Sequence, residues 1–482
     1  MRAVLILMDT LRYDVLELCG GDPGLLPNFR RLAAHTVQYT NHYAGSLPCM
    51  PARRELHTGR YNFMHRGWGP IEPYDDSMPE LLRLNGIHSR LVSDHYHYWD
   101  DGGATYHTRY SSWEGVRGHE CDRWKACLAP VDVPDFGFVW NKEGIRQNYV
   151  NRKYMPDFKS STLARTFDLG MEFIDDNHDY GQWFLQIESF TPHEPFVAYP
   201  EFRQKLPKPI IGKDSEWGSM ASGGDPDREE DTRNDYRALL LECDHELGRL
   251  LDRMDQYGMW EDTMIILTSD HGTLLGEHGE WNKNRQPLFE EVAHTPLFVW
   301  DPRSRRQGVT DHCLNRMIDI PATILDFFGI ELPENMLGRP IRFGTCEGAL
   351  FGYYGSYVCC TDGRYVYMRA AANAENRPLY TYFLMPTELF HRFPAEKLQN
   401  LELVLGRPST KGVPVLRMKA DLPLFPDFMY QYGTLLYDLE KDPQEHTSLH
   451  DPAIEKRMEE LLIKLMKEAD APKEQYERLG LF

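Results

Sequence analysis

The groups able to do covalent or metal chemistry fall at a few places in this chain of 482 residues. Cys49 stands in the run from Ser46 to Arg60, SLPCMPARRELHTGR, where Cys49-x-Pro51-x-Arg53 is followed by Thr58-Gly59-Arg60. An isolated cysteine is most often an inert buried thiol, so its neighbours must decide its role. Two acids follow apolar runs: Asp9 comes directly after Ala3 to Met8, and Asp270 comes shortly after Met264 to Leu267, within Ser269-Asp270-His271-Gly272. Lys283 lies downstream of Gly276-Glu277-His278-Gly279. Two histidine-bearing segments complete the set, Ser93-Asp94-His95-Tyr96-His97-Tyr98 and Ser189-Phe190-Thr191-Pro192-His193-Glu194-Pro195-Phe196. Alone, a histidine near prolines is usually a turn residue and a lysine is usually solvated.

The elements that must hold these groups are readable. Continuous apolar runs at 3–8, 264–267 and 297–300 have the pattern of strands buried on both faces, which predicts a parallel sheet covered by helices. Residues 231–257 place Tyr236, Leu239, Leu240, Cys243, Leu247, Leu250, Leu251 and Met254 at helical spacing. The alternation is that of a doubly wound α/β fold. Ligands of such sheets gather beyond the carboxyl ends of the strands, so Asp9 and Asp270 are expected to face one crevice. After about residue 345 short aromatic runs with turn residues between them predict a smaller antiparallel-sheet domain, closed by an amphipathic helix over 453–469. This divides the chain into 1–345 and 346–482. Residues 99–162 and 195–232 lack periodicity, as long insertions do whether they shape a binding site or merely run over the surface.

Composition narrows the function. With 53 basic and 73 acidic residues the net charge is −20, which disfavours nucleic acid as a partner. A small anionic substrate would need locally clustered positive charge, from a metal ion or from Lys, Arg and His. No run of 18 apolar residues is present, so neither a membrane span nor a signal peptide is expected. Nine cysteines, an odd and irregularly spaced set, suit a reducing, cytoplasmic setting better than a disulfide framework.

The segment from Cys49 to Arg60 resembles the sulfatase signature. Resemblance extends upstream to Pro27-Asn28-Phe29, Leu32-Ala33 and Tyr39-Thr40-Asn41, and near the end to Leu436-Tyr437-Asp438-Leu439 and Asp442-Pro443-Gln444-Glu445. It implies an alkaline-phosphatase-like α/β/α sandwich with a smaller C-terminal domain built on a four-stranded antiparallel sheet. It also implies that a dedicated maturation enzyme oxidises Cys49 to formylglycine. One hydroxyl of the aldehyde hydrate then attacks sulfur, and deprotonation of the other expels inorganic sulfate. The segment at Asp270 is similar to the family's metal-binding element. By that likeness Asp9, Asp270, His271 and the oxygen of residue 49 hold a divalent cation, while His193 and Lys283 contact sulfate or protonate the leaving alcohol. Arg53 would hold the diol. His95 and His97 reproduce the spacing of the family's Lys-x-His pair, in a register open by one residue.

Thr10 stands where a second acid is usual and His271 where asparagine is usual. An imidazole and fewer carboxylates suit manganese or zinc, but the family's habit keeps calcium the expected cation. A similar histidine occurs in phosphonate monoester hydrolases. Arg54, Glu55 and His57 occupy positions where many sulfatases have small or apolar residues, and their roles stay open. The expected function is hydrolysis of an organic sulfate ester carried by a small molecule or glycan, with a carbohydrate favoured because Trp and Tyr of the insertions can stack on sugar faces. The alternatives are a phosphonate monoester or phosphodiester hydrolase with the same nucleophile, and a metal-stabilised binding protein without turnover.

Overall fold

Strand Arg2–Met8 lies inside an eight-stranded sheet and sets the level of its neighbours. It runs parallel to Trp183–Ser189, with Met8 opposite Ser189, and to Thr263–Thr268, with Leu7 opposite Thr268, so the carboxyl ends of all three finish together. The computed structural model describes residues 1–18, 24–134, 141–206, 217, 226–284, 287–421 and 429–481. Strand order across the sheet is Val309–Arg316, Val37–Tyr43, Leu297–Trp300, Thr263–Thr268, Arg2–Met8, Trp183–Ser189, His88–Ser93 and Ser112–Gly115.

Both faces are covered, as the unbroken apolar runs require. Val4, Ile6 and Met8 pack on one side against the helices Thr162–Asn177 and Pro226–Gln256. Ala3, Leu5 and Leu7 pack on the other against residues of Cys49–Thr58, Met78–Leu84 and Asp319–Phe327. The side chains of Leu5, Ile6 and Leu7 are wholly buried, each contributing about 1.5–3 kcal/mol. The sandwich is therefore α/β/α. One expectation needs correction: Leu297–Trp300 runs antiparallel to both of its neighbours, which makes the sheet mixed. An apolar run reports burial on two faces and carries no signal of direction.

The smaller sheet orders Leu435–Asp438, Tyr365–Arg369, Val358–Thr361 and Ala349–Tyr353 in antiparallel pairs. A fifth strand, Ser46–Leu47, joins it in parallel, with Ser46 opposite Gly352 and Leu47 opposite Tyr353. Helix Pro452–Glu468 covers this sheet with Met458, Leu461, Leu462, Leu465 and Met466, and it begins where the Asp451 side chain accepts the N–H groups of Ala453 and Ile454. A three-stranded sheet, Tyr380–Phe383, Val415–Lys419 and Glu402–Val404, was not expected. Its edge strand Glu402–Val404 is largely exposed and carries no apolar run to betray it.

The 99–162 insertion supplies the sheet's edge strand Ser112–Gly115 and the helix Lys142–Arg152. Residues 135–140, 207–216 and 218–225 of the two insertions, and Cys19, lie outside the described residues. The eight cysteines among the described residues are all free thiols. No described helix is long and apolar enough to cross a membrane.

Candidate active site

The level strand ends bring together what the sequence keeps apart. Asp9 leaves Arg2–Met8 with its N–H donated to the Ser189 carbonyl at 2.9 Å, and Asp270 follows Thr263–Thr268 on the next strand. Cys49 arrives from the smaller sheet, at the start of the Cys49–Thr58 helix, with a φ of 23°. Left-handed backbone of this kind in a non-glycine residue clusters at active sites. Glu55, nearly two turns into the helix, reaches back to accept the Ser46 N–H at 2.5 Å and also accepts the Ser46 hydroxyl. A Cβ on Gly45 would stand 2.5 Å from a Glu55 oxygen, so any larger residue there would displace that carboxyl. Burial pushes the Glu55 carboxyl up to about 8. Glu55 thus anchors the approach to Cys49, while Arg54 pairs with Asp75 and His57 bonds the Ser77 hydroxyl at 2.8 Å. All three unusual residues hold this helix in place.

Arg53 is buried among three carboxylates. Its Nε donates to Glu188 at 2.8 Å, one Nη donates to Asp270 at 2.5 Å, and the other lies 2.9 Å from Asp9 Oδ2. That last contact is ionic and lacks hydrogen-bond alignment. Asp9 Oδ2 therefore remains a buried oxygen with no hydrogen bond, as do both ring nitrogens of His95 beside it, at 3.6 Å for Nε2. Burial and the neighbouring Asp270 push the Asp9 carboxyl up. Asp270 is the ionised member of the pair: although burial opposes it, His271, Arg53 and the Thr10 N–H hold its carboxyl below the ordinary range.

One ligand atom each from Asp9, Cys49, Asp270 and His271 lie within 4.8 Å of one another, all buried. His271 Nε2 is 3.3 Å from Cys49 Sγ, and its Nδ1 is 2.9 Å from the Gly272 carbonyl, an arrangement that places the proton on Nδ1 and leaves the Nε2 lone pair facing the cluster. Burial lowers this imidazole to about 4, so it is neutral at physiological pH. Two carboxyl groups, one of them with an oxygen left without a hydrogen bond, and a neutral imidazole fit a divalent cation. Burial raises the Cys49 thiol well above its usual range, which disfavours a thiolate nucleophile.

Beside this cluster Lys283 Nζ sits 2.5 Å from His193 Nε2 and 3.2 Å from Glu194. Burial opposes its charge, but Glu194 first, then Cys49 and Asp9, hold the ammonium's pKa high. His193 is kept neutral by burial and by Lys283. Replacing Glu194 by Gln removes the strongest attraction on that ammonium. The alkaline limb of kcat/KM on an aryl sulfate is then expected to move to lower pH, which a pH–rate profile checks; an unmoved limb would show that Lys283 does not govern it.

His95 and His97 part company. His95 points at Asp9, whereas His97 bonds Asp100 at 2.9 Å and packs edge-on to Trp68 and Phe390, one layer out. Other residues at the site were not singled out from sequence. Glu188, buried at the end of Trp183–Ser189, binds Arg53, the Tyr98 hydroxyl at 2.9 Å and the Gln186 amide at 2.9 Å. A carboxylate in a wholly buried strand was the available signal. His119, from the first insertion, stacks on Phe190 at 4.6 Å, and its neighbour Glu120 is pushed up to about 8 by burial and by Glu194. Tyr353 of the smaller sheet donates its hydroxyl to the Lys283 carbonyl.

The family model described as Sulfatase matches residues 2–330. The chain belongs to the sulfatase family. It is a sulfuric ester hydrolase of alkaline-phosphatase-like fold. Among the relatives of this sulfatase is a multifunctional alkaline phosphatase superfamily protein, PehA of Trinickia caryophylli, 27% identical over 400 residues that cover 72% of this chain and 77% of that one. Among solved structures, a protein in complex with its substrate D-glucosamine-2-N,6-O-disulfate superposes with a TM-score of 0.67 at 14% identity, covering 98% of each chain. A phosphonate monoester hydrolase of Agrobacterium radiobacter superposes with a TM-score of 0.63 at 19% identity, covering 97% of this chain and 96% of that one. These likenesses establish the fold of the whole chain.

Proposed function

We propose that this sulfatase cleaves a sulfate ester on a carbohydrate, using a formylglycine that a maturation enzyme makes from Cys49 and a divalent cation held by Asp9, Asp270, His271 and the oxygen of residue 49. The observation that carries this reading is the convergence of Cys49 with those three residues, from three distant segments, inside one buried cluster. The aldehyde hydrate supplies two hydroxyls, one for attack on sulfur and one whose deprotonation releases sulfate. A cation bound there polarises the sulfuryl oxygens and acidifies the attacking hydroxyl. Arg53 offsets charge on the oxygens around residue 49. The Lys283 ammonium, aimed by Glu194 and hydrogen-bonded to His193, is the proton source for the departing alcohol. The sugar assignment draws on the glucosamine disulfate bound by the structural neighbour and on the Trp and Tyr residues of the insertions, whose rings suit sugar faces.

The second reading, phosphonate monoester or phosphodiester hydrolysis, is favoured by His271 and by the Agrobacterium neighbour. The deciding experiment is peptide mass spectrometry at residue 49, followed by turnover of 4-nitrophenyl sulfate and of an aryl phosphonate by the matured protein. A kcat/KM larger for the sulfate supports the proposal, and a larger value for the phosphonate overturns it in favour of the second reading.

The donor set also sets an expectation for the metal. The Nε2 lone pair of His271 and the hydroxyl of Thr10 in place of an acid shift the site from calcium towards manganese or zinc. Chelator-treated protein is expected to regain more activity with manganese or zinc than with calcium. Full recovery with calcium alone would place the imidazole outside the coordination sphere.

A further inference from the structure

A second polar cavity lies at the opposite end of the Cys49–Thr58 helix, where that helix meets the three-stranded sheet region. Arg54, Arg60, His65, Asp75, Arg407 and Ser409 line it. The helix has ten residues, so the cavity stands about 15 Å from Cys49 and is separate from the catalytic cluster.

Its charges do not balance internally. Arg54 is answered by Asp75, which accepts from its Nε at 2.9 Å and its Nη2 at 3.1 Å. Among the described residues no carboxylate pairs with Arg60 or with Arg407, in a protein whose net charge is −20. Arg407 lies over the Tyr382 ring at 4.5 Å, and its Nε and Nη2 are buried without an acceptor. The Ser409 hydroxyl is likewise buried and unpaired, and the Asn62 side-chain oxygen, 5% exposed on the same wall, has no donor. Asp470 attracts Arg60 from nearby but forms no ion pair with it; its carboxylate accepts the Ser409 N–H at 2.9 Å and its carbonyl is 2.8 Å from His65 Nε2. The electrostatics agree. Burial outweighs the attraction of Asp75 and Asp470 and lowers the Arg60 pKa, and burial followed by Arg407 keeps His65 neutral.

Buried donors without acceptors, on a guanidinium with no direct ion pair, are costly unless something else satisfies them. Guanidinium forks and a hydroxyl facing one space match the oxygens of a tetrahedral dianion, and the Asn62 oxygen can accept a hydrogen bond from the O–H of a singly protonated form or of a sugar. We propose that this cavity is a second anion site, which binds a sulfate or phosphate group through Arg60, Arg407 and Ser409. An anion there ties residues 54–62 to residues 407–410. The proposal does not depend on the esterase chemistry, since a chain with no turnover would keep the site.

The test is calorimetric titration of the metal-loaded protein with inorganic sulfate, alongside R60Q, R407Q and R407K. Two sulfates are expected for the wild type, one for R60Q and R407Q, and a second but at least tenfold weaker sulfate for R407K. Sulfate should raise the melting temperature of the wild type more than that of R407Q, whose melting temperature without sulfate should match or exceed the wild-type value because an unpaired buried cation is gone. Titrating glucose 6-sulfate into Cys49→Ala protein, with and without R407Q, identifies the source. An R407Q-sensitive component tighter than that for inorganic sulfate means the group arrives on a sugar, and an equal or weaker one means the free anion. A crystal of the wild type soaked in selenate checks the result without any variant, through anomalous density between Arg60 and Arg407. Identical stoichiometry in wild type and R407Q, or selenate confined to the Cys49 cluster, would overturn the proposal.

Discussion

Cys49→Ala is expected to reduce kcat on an aryl sulfate by about 10^4- to 10^6-fold, the range for removing a nucleophile on which the rest of the machinery depends. Residue 49 is the one position where the acids, the imidazole of His271 and Arg53 converge on a single reactive atom, so none of them gains a substitute when it is lost. The fold should survive. Cys49 is 3% exposed and among the described residues its side chain hydrogen-bonds only His271, so truncation leaves a small void and no stranded charge. Steady-state kinetics beside far-UV circular dichroism checks both halves. A variant that keeps more than a tenth of the activity would locate the nucleophile elsewhere.

The second large effect concerns stability. Arg53→Ala in metal-stripped protein leaves Asp9, Glu188 and Asp270 facing one another in a buried site without the cation that balances them, since Arg53 contacts all three and is 1% exposed. Breaking a buried ionic cluster from one side costs about 3–5 kcal/mol. The pH dependence follows from the pKa directions. In the wild type, Asp270 is held low, so its contribution is present above its unfolded-state pKa and is lost as pH falls through the folded value. Without Arg53 the carboxyls of this cluster rise. A raised carboxyl penalises the folded state at neutral pH and relieves the penalty as acid protonates it. The destabilisation is therefore expected to be larger at pH 8 than at pH 5, measured by urea unfolding. Arg53→Lys restores one charge but cannot make three directed contacts, and should recover part of the loss. A deficit that grows towards acid would show that the three carboxylates are not what Arg53 balances.

Much of the site was legible because its parts sit where elements end. The run Ala3 to Met8 stops at Asp9, the run Met264 to Leu267 stops just before Asp270, and strand-end geometry alone puts them in one crevice. The likeness of the Cys49 segment to the sulfatase signature supplied the third member. What stayed hidden depends on orientation or on long-range contact. His95 and His97 differ by two positions at the entry of a short turn, Tyr96–Trp99, and only its course turns one ring to Asp9 and the other to Asp100. Glu188 sits in a strand that otherwise reads as plain core, and its role exists only through Arg53, which is remote in sequence. The direction of Leu297–Trp300 and the three-stranded sheet escaped for the same reason: burial patterns describe faces, whereas pairing is decided by chain segments a local reading never compares.

The pairing of Ser46 and Leu47 with Gly352 and Tyr353 bears on how the molecule can be taken apart. The reactive position is stitched by its own leading residues to the later portion of the polypeptide, and Tyr353 from that portion also fastens the backbone of Lys283. Severing the chain between the two sheets would therefore not yield a working hydrolase and a dispensable appendage. Both pieces would carry half of the frame on which residue 49 is aimed.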